Sequence, residues 1–318
     1  MKMKLKIFHA SDIHGSDKCF RKFLNVPKVY GVSVIILGGD ITGKILVPVV
    51  EQEDGTYKTE FMGKEVKIRT EEELKNIIKL IADAGEYPHI CDKNEYDRLV
   101  NDKSYRDRVF KDHIVKRVGD WVKLAEERLS RSEVEIYIMP GNDDYFEIDE
   151  VLNKSNVVIN PEGKVVEIGK RYEMISSGFV NITPWQAPRD IPDEKLEEML
   201  VDLVSKIGRL NESIFSLHAP PYNTPLDLAP LLDNTLKPVM SGGQLVMTHV
   251  GSMAVRKMIE KYQPLLGLHG HIHESKGVVK IGRTLCINAG SDYLAGNLQG
   301  ALITLEDGKV RNYMFTIG

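Results

Sequence analysis

Five short polar clusters, each standing directly behind a run that reads as a buried β-strand, constrain this chain more than any other feature. Lys4 to Ala10 is followed by Asp12 and His14, and Val32 to Leu37 by Asp40. Glu135 to Met139 is followed by Asn142 and Asp143, Ser213 to Leu217 by His218, and Leu265 to Leu268 by His271 and His273. Short apolar runs rich in β-branched residues suit strands covered on both faces. Strands of an α/β sheet gather their carboxyl ends along one edge, where ligands bind. Residues far apart in sequence are therefore expected to converge.

The segments between the clusters fit that frame. Ser16 to Tyr30 reads as a helix, so the chain opens on a βαβ unit. From Lys44 to Arg131 the character changes. Ile45 to Arg69 alternates around an Asp54-Gly55 turn and predicts a hairpin. Thr70 with Glu73 forms a capping-box pattern before Leu74, Ile77, Ile78 and Ile81 at helical spacing. Ser104 to Leu129 predicts a long charged helix. A simple crossover needs far fewer residues, so 44–131 reads as an insertion within a single 1–318 domain, either a cap over the site that selects substrate or a dimerisation element. Later, Val157 to Phe179 predicts strands around Gly169-Lys170. Asp193 to Leu210 predicts a helix with Leu196, Met199, Leu200, Leu203 and Ile207 on one face. Leu226 to Gln244 reads as an irregular loop, Gly251 to Tyr262 as a helix, and Val278 to Ile317 as antiparallel strands turning at Asp307-Gly308.

Composition narrows the function classes. The chain has 318 residues, 42% hydrophobic and 28% charged, with a formal net charge of -4. That is an ordinary globular balance, with no general electrostatic pull toward nucleic acid. Three cysteines, Cys19, Cys91 and Cys286, lie in no Cys-x-x-Cys pair. They argue against a disulfide framework or a thiolate zinc site. Met1 to Ala10 is too short and interrupted for a secretory leader, and no apolar run is long enough to span a bilayer. The expected location is the cytoplasm, with no membrane partner.

Taken singly, each cluster has an ordinary explanation as a turn or surface group; the ordered set does not. Imidazole and carboxylate together favour Mn²⁺, Fe, Zn²⁺, Ni²⁺ or Co²⁺. Two such ions can clamp a phosphoryl group and activate a bridging hydroxide. The set resembles the motifs of the calcineurin-like metallophosphoesterase superfamily. They are present as Asp12-Ile13-His14, Gly39-Asp40, Gly141-Asn142-Asp143-Asp144, His218 and Gly270-His271-Ile272-His273. The phrases at His249 to Ser252 and Gly270 to Glu274 further resemble a prokaryotic, Icc-related subgroup. The resemblance implies a four-layer α/β/β/α sandwich of two mixed sheets, here carrying a hairpin-plus-helix insertion. It implies two divalent ions, Mn²⁺ first among them. Asp12, His14, Asp40 and His273 would hold one, with Asp40 bridging, and Asn142, His218 and His271 would complete the other. It implies a phosphoesterase, a phosphodiesterase ahead of a monoesterase, acting on a small phosphorylated substrate.

The chain departs from the family pattern at Asp143, which stands where a histidine would contact phosphate and assist the leaving group. Asp143 could do so only when protonated. His249, just before a helix whose N-terminus would hold an anion, is the candidate substitute. His269 and His9 read as strand residues behind the site, and His89 and His113 as surface residues of the insertion. Arg189 and Trp185, in a Pro-rich loop, read as solvent-exposed. Tyr222, Asn223 and Asn288 to Ser291 lie in loops near the expected edge. Two other readings compete: a nuclease of the same superfamily, disfavoured by the acidic balance, and a binding scaffold that keeps the fold without catalysis, disfavoured because every ligand position is filled. If Asp40 bridges, Asp40→Ala is expected to lose both ions and all turnover. A variant that retains two ions by metal analysis and full activity overturns that role.

Overall fold

The computed structural model describes residues 4–318; Met1 to Met3, part of the stretch read as too short for a leader, lie outside them. Two six-stranded sheets dominate it. The first runs, edge to edge, Lys309–Ile317, Gln299–Glu306, Lys4–Ala10, Val34–Gly38, Glu135–Met139 and Val158–Ile159. The second runs Gly277–Ile281, Thr284–Asn288, Leu266–His269, Ser213–Leu217, Tyr172–Ser177 and Val165–Ile168. Both are mixed: the first is parallel from Lys4–Ala10 to Val158–Ile159 and antiparallel toward Lys309–Ile317, and the second has a parallel centre and two antiparallel edges.

Strand alternation explains how the layers stack. Ile7, Val34 and Ile36 point inward and meet Ile214, Leu266 and Ile287 of the other sheet in one buried cluster. Phe8, Ile35 and Leu37 point outward onto the helices Asp17–Tyr30 and Lys103–Leu129. Ile175, Phe215 and Cys286 point to the opposite outside, under the helices Asp193–Ser205 and Met253–Tyr262. The result is the four-layer α/β/β/α sandwich. Each central strand is buried on both faces, which is why it reads as a continuous apolar run. Met199 does not share the buried face of its helix; it is exposed beside buried Leu200.

Local signals set the helix ends. Ser16 accepts the Cys19 N–H at 3.2 Å, and Gly31 closes the same helix with φ 61°. Thr70 and Glu73 form the reciprocal capping box before Glu71–Asp83.

The 44–131 insertion holds more than a hairpin and helices. Its four-stranded sheet runs Lys64–Ile68, Tyr57–Phe61, Leu46–Glu51, Tyr87–Cys91. The last strand was not legible, because Tyr-Pro-His-Ile-Cys lacks a clear period of two. Val47, Val49, Ile68, Ile77 and Ile81 make a small core of its own. Ile114, Val118, Trp121 and Ala125 join the main core, with Trp121 stacked on Phe20 at 4.2 Å between ring centroids. The apolar face of the long helix is thus covered within the chain.

The insertion presses on the loops that follow the first two strands. Ser16 Oγ donates to Asp83 O at 2.6 Å, Arg117 donates to Gly15 O at 2.6 Å, and Gly43 N donates to Tyr87 Oη at 2.9 Å. Gly85 sits in this wedge at φ 94°, and a Cβ there would lie 2.2 Å from His14 O. Gly85→Ala is therefore expected to destabilise the protein by roughly 2–4 kcal/mol, combining backbone strain with an overlap that must push the His14 loop. Thermal melting checks this; an unchanged melting temperature means the wedge is not under tension.

Candidate metal centre

The carboxyl ends of both sheets meet at one edge, and the five polar clusters lie there. Three loops turn so sharply that non-glycine residues take the left-handed region: Asp12 at φ 57°, His14 at 38°, Asp40 at 49° and His271 at 68°. Such conformations cost about 1–3 kcal/mol each and gather where a site is over-determined by its surroundings. Asp144, fully buried, ties two loops together. Its carboxylate accepts from Ile41 N at 2.9 Å, Thr42 N at 2.8 Å and Gly141 N at 2.7 Å. Gly141 must lack a side chain, because a Cβ would fall 2.2 Å from Asp40 Oδ1.

Two triads of ligand atoms form, each within 4.8 Å of one another: Asp12, His14 and His273, and Asp40, His218 and His271. A third group, His14, Asp40 and Asp143, joins them. His14 Nε2 is 2.9 Å from His273 Nε2, and His218 Nε2 is 3.3 Å from Asp40 Oδ1 and 3.8 Å from Asp12 Oδ1. All seven expected ligands lie in this one centre. Asn142 is aimed by Asp190, whose Oδ1 accepts from Asn142 Nδ2 at 3.1 Å.

The donor set fits divalent ions. Asn142 Oδ1 and His218 Nε2 are buried with no hydrogen-bond partner. His218 Nδ1 bonds Gly38 O at 2.8 Å, which leaves the Nε2 lone pair facing the carboxylates. Burial pushes His14 down to about 3 and His271 to about 4, so both rings are neutral donors. His218 goes the other way. Burial opposes it, but the Asp40 and Asp12 carboxylates raise it to about 10. A proton and a metal ion compete for that nitrogen.

The neighbouring strand residues stand where the sequence reading put them. His269 bonds Leu217 O and Ala219 O, and His9 bonds His269 O, so both lie behind the ligands. Asn288 Nδ2 donates to Ile272 O at 2.9 Å and Ser291 Oγ to Asp12 O at 2.6 Å, holding the ligand loops. Tyr293, not singled out in the sequence, packs its ring 4.8 Å from that of His14.

Several expectations are corrected. His249 does not line the cavity above the centre; Thr248 and Val250 do, as strand alternation requires. Its Nδ1 bonds Asp227 Oδ1 at 2.8 Å. The helix end expected to receive an anion is already satisfied by Asp193, which accepts from Met253 N at 3.0 Å, and Asp227, which accepts from Gly251 N at 3.0 Å. Arg189 is not solvent-exposed. It is 1% exposed, pairs with Asp149 at 2.9 Å and bonds Asp144 O at 3.1 Å. His89 and His113 are partly buried and bonded to each other at 2.9 Å. The insertion does not roof the cavity, which takes only Lys44 from it. The rim is instead 181–185 and the 229–238 stretch, part of the segment expected to be irregular, which folds into short two-stranded pieces.

Lys44 is a second residue that sequence reading missed. It forms an ion pair with Asp143, and its own pKa is raised; burial opposes this, but Asp143 outweighs it. Asp143 is pushed up to about 7 by burial and by Asp40, with Lys44 pulling the other way. Its backbone N–H donates to Asp40 Oδ1 at 3.0 Å.

No family model matches the chain. Over 194 residues, 59% of this chain and 80% of the other, it is 29% identical to an uncharacterised protein, MJ1162, of Methanocaldococcus jannaschii. It is similar to the solved structure of the protein TT1561 of Thermus thermophilus, with a TM-score of 0.54, 14% identity and 99% of each chain covered. It is also similar to the calcineurin-like phosphoesterase YfkN from Bacillus subtilis, with a TM-score of 0.46 and 11% identity over 100% of this chain and 91% of the other. The Thermus likeness shows a shared fold.

Because Asp190 orients Asn142, Asp190→Ala is expected to weaken the second ion by about 10–100-fold while leaving the first in place. Isothermal titration with Mn²⁺ reads this directly; two unchanged affinities mean that Asn142 is not a ligand.

Proposed function

We propose that this chain, which has the calcineurin-like metallophosphoesterase fold, is a dinuclear-metal-dependent phosphodiesterase acting on a small substrate. The observation that carries the reading is the pair of ligand triads with Asp40 between them. Asp12, His14, Asp40 and His273 would hold one ion and Asp40, Asn142, His218 and His271 the other. Mn²⁺ is the first choice for such a mixture of carboxylate, imidazole and amide oxygen, with Fe, Zn²⁺, Ni²⁺ and Co²⁺ as alternatives. When bound, the ions supply Lewis-acid polarisation of the phosphoryl oxygens and a nucleophile from water.

The chain's own residues do the remaining work. In the overall reaction a bond forms between phosphorus and the water oxygen, the ester P–O bond breaks, and the leaving oxygen gains a proton. Asp143, which stands at the motif position of the family's histidine, is paired with Lys44. Lys44 contributes a charge that can stabilise the transferring phosphoryl group. Asp143 holds Lys44 and, when protonated, can donate to the leaving oxygen. His249 is set aside for this role because it is turned to Asp227. A diester bears one negative charge, which suits a cavity whose lining, among the described residues, holds one ammonium, Lys44. The same paucity of cations counts against a nuclease. The apolar helix face that suggested a homodimer is covered within the chain. A cytoplasmic location is supported by three free, buried cysteines.

The test is hydrolysis of bis-p-nitrophenyl phosphate and p-nitrophenyl phosphate by metal-stripped protein with Mn²⁺, Ni²⁺, Co²⁺, Zn²⁺ or Mg²⁺ restored. Metal-dependent cleavage favouring the diester is expected, and Lys44→Ala should lower kcat by about 10–100-fold with both ions retained. Absence of cleavage with two ions bound overturns the enzyme reading; full kcat in Lys44→Ala removes Lys44 from it.

A further inference from the structure

The cavity above the centre, about 790 Å³, changes character away from its floor. The floor carries Asp40, Asn142, Asp143, His271 and His273, with Lys44 at its side. The rest of the lining includes Ile182, Pro184 and Trp185 from one loop and Leu231, Leu236 and Pro238 from another. These side chains stand in water although they are large and apolar: Trp185 is 65% exposed, Ile182 56% and Leu236 47%. Scattered exposed apolar residues are ordinary, but six converging on one wall beside a charged floor mark a binding surface. The other wall residues Asn181, Thr183 and Thr248 are polar but uncharged, and Glu274 is acidic. Among the described residues that line the cavity, Lys44 on the floor side is the one lysine or arginine.

The wall is held in place from below. Ser275 Oγ donates to Leu228 O at 2.6 Å, and Asn181 Nδ2 donates to Val250 O at 3.1 Å. Thr183 N donates to Asp190 Oδ2 at 3.0 Å, so the Trp185 loop shares its anchor with the Asn142 amide. The apolar surface and the ligand centre are therefore parts of one rigid cleft.

We infer that this wall is a subsite for the ester group that is not cleaved. The substrate is then a phosphodiester bearing a large uncharged apolar group, rather than a polyphosphate, a nucleic-acid strand or a small polar phosphate. The inference rests on the phosphodiesterase reading above. Aryl and alkyl groups share the chemistry that such a wall recognises; an aryl group would stack on Trp185, and an alkyl chain would lie along Leu231 and Leu236.

The experiment uses the Mn²⁺-loaded full chain and a series of p-nitrophenyl phosphodiesters with one leaving group and a varied second ester: methyl, phenyl, octyl and choline. Each fully buried methylene contributes about fourfold. On a half-open wall, kcat/KM is expected to rise about tenfold or more from methyl to phenyl or octyl, through KM. Choline should gain nothing. A gain confined to phenyl points to aromatic stacking, and a gain that grows with alkyl length to a lipid-like chain. Trp185→Ala and Leu236→Ala should flatten the gradient, lowering kcat/KM for the phenyl and octyl esters toward that of the methyl ester. Binding is read separately by tryptophan fluorescence, since Trp121 is buried against Phe20 and Trp185 is open. Octylphosphonate should shift the emission of wild type, methylphosphonate should not, and Trp185→Ala should lose the response. Equal kcat/KM across the series, or a gradient intact in both variants, overturns the subsite. Inactivity toward every ester, with an octylphosphonate shift that depends on Trp185, keeps the apolar subsite and overturns the phosphodiesterase reading instead.

Discussion

Two carboxylates, Asp12 and Asp40, are buried within reach of one imidazole, His218, at 3.8 and 3.3 Å. Burying one charge is expensive, and burying two of the same sign together is more so unless cations and donors answer them. Much of the local architecture serves that need. The His271 backbone N–H donates to both Asp12 oxygens at 3.0 and 3.1 Å, and Asp143 N donates to Asp40. The strained φ angles of Asp12, Asp40 and His271 bring those donors and oxygens together. The centre's donors face one another rather than being satisfied by the protein, and the proposed divalent ions would complete the compensation.

The two segments outside the sandwich divide their work in a way that follows from where they attach. The insertion begins at the end of the second strand, so it lies against the first and second ligand loops and braces them through Gly15, Gly43 and Gly85. It reaches the cavity only through Lys44. The 228–249 segment leaves the opposite sheet and forms the rim together with the Trp185 loop. Arg189 and Asp190 join rim to centre. Arg189 N donates to Asn142 O at 3.1 Å, and Asp190 accepts from both Asn142 and Thr183. The guanidinium of Arg189 lies 4.3 Å from the Phe146 ring, which helps to hold a buried cation away from water.

What was legible in the sequence followed from periodicity and position. The central strands were plain because both faces are covered, and the metal-capable side chains that gather at the centre were plain because each follows such a strand. The Tyr87–Cys91 strand was hidden by Pro88 and His89, and the short strands of 228–249 by their length. His249 was misjudged because the Ser252 helix end looked open to an anion, whereas Asp193 and Asp227 from elsewhere in the chain fill it. Lys44 gave no signal at all: a single lysine after Gly43 acquires meaning only when Asp143 is beside it.

The sequence by itself determined which side chains form the centre, since the run of apolar residues before each one dictates a strand and the strand dictates where its end lies. The four-layer order was an expectation carried by the family resemblance, and the central strands, covered on both faces, agree with it. Only the tertiary structure decided which way the loop residues face. Arg189 turned inward, His249 turned to Asp227 and Lys44 joined Asp143 because these outcomes depend on partners 22 to 99 positions away, which no local pattern encodes.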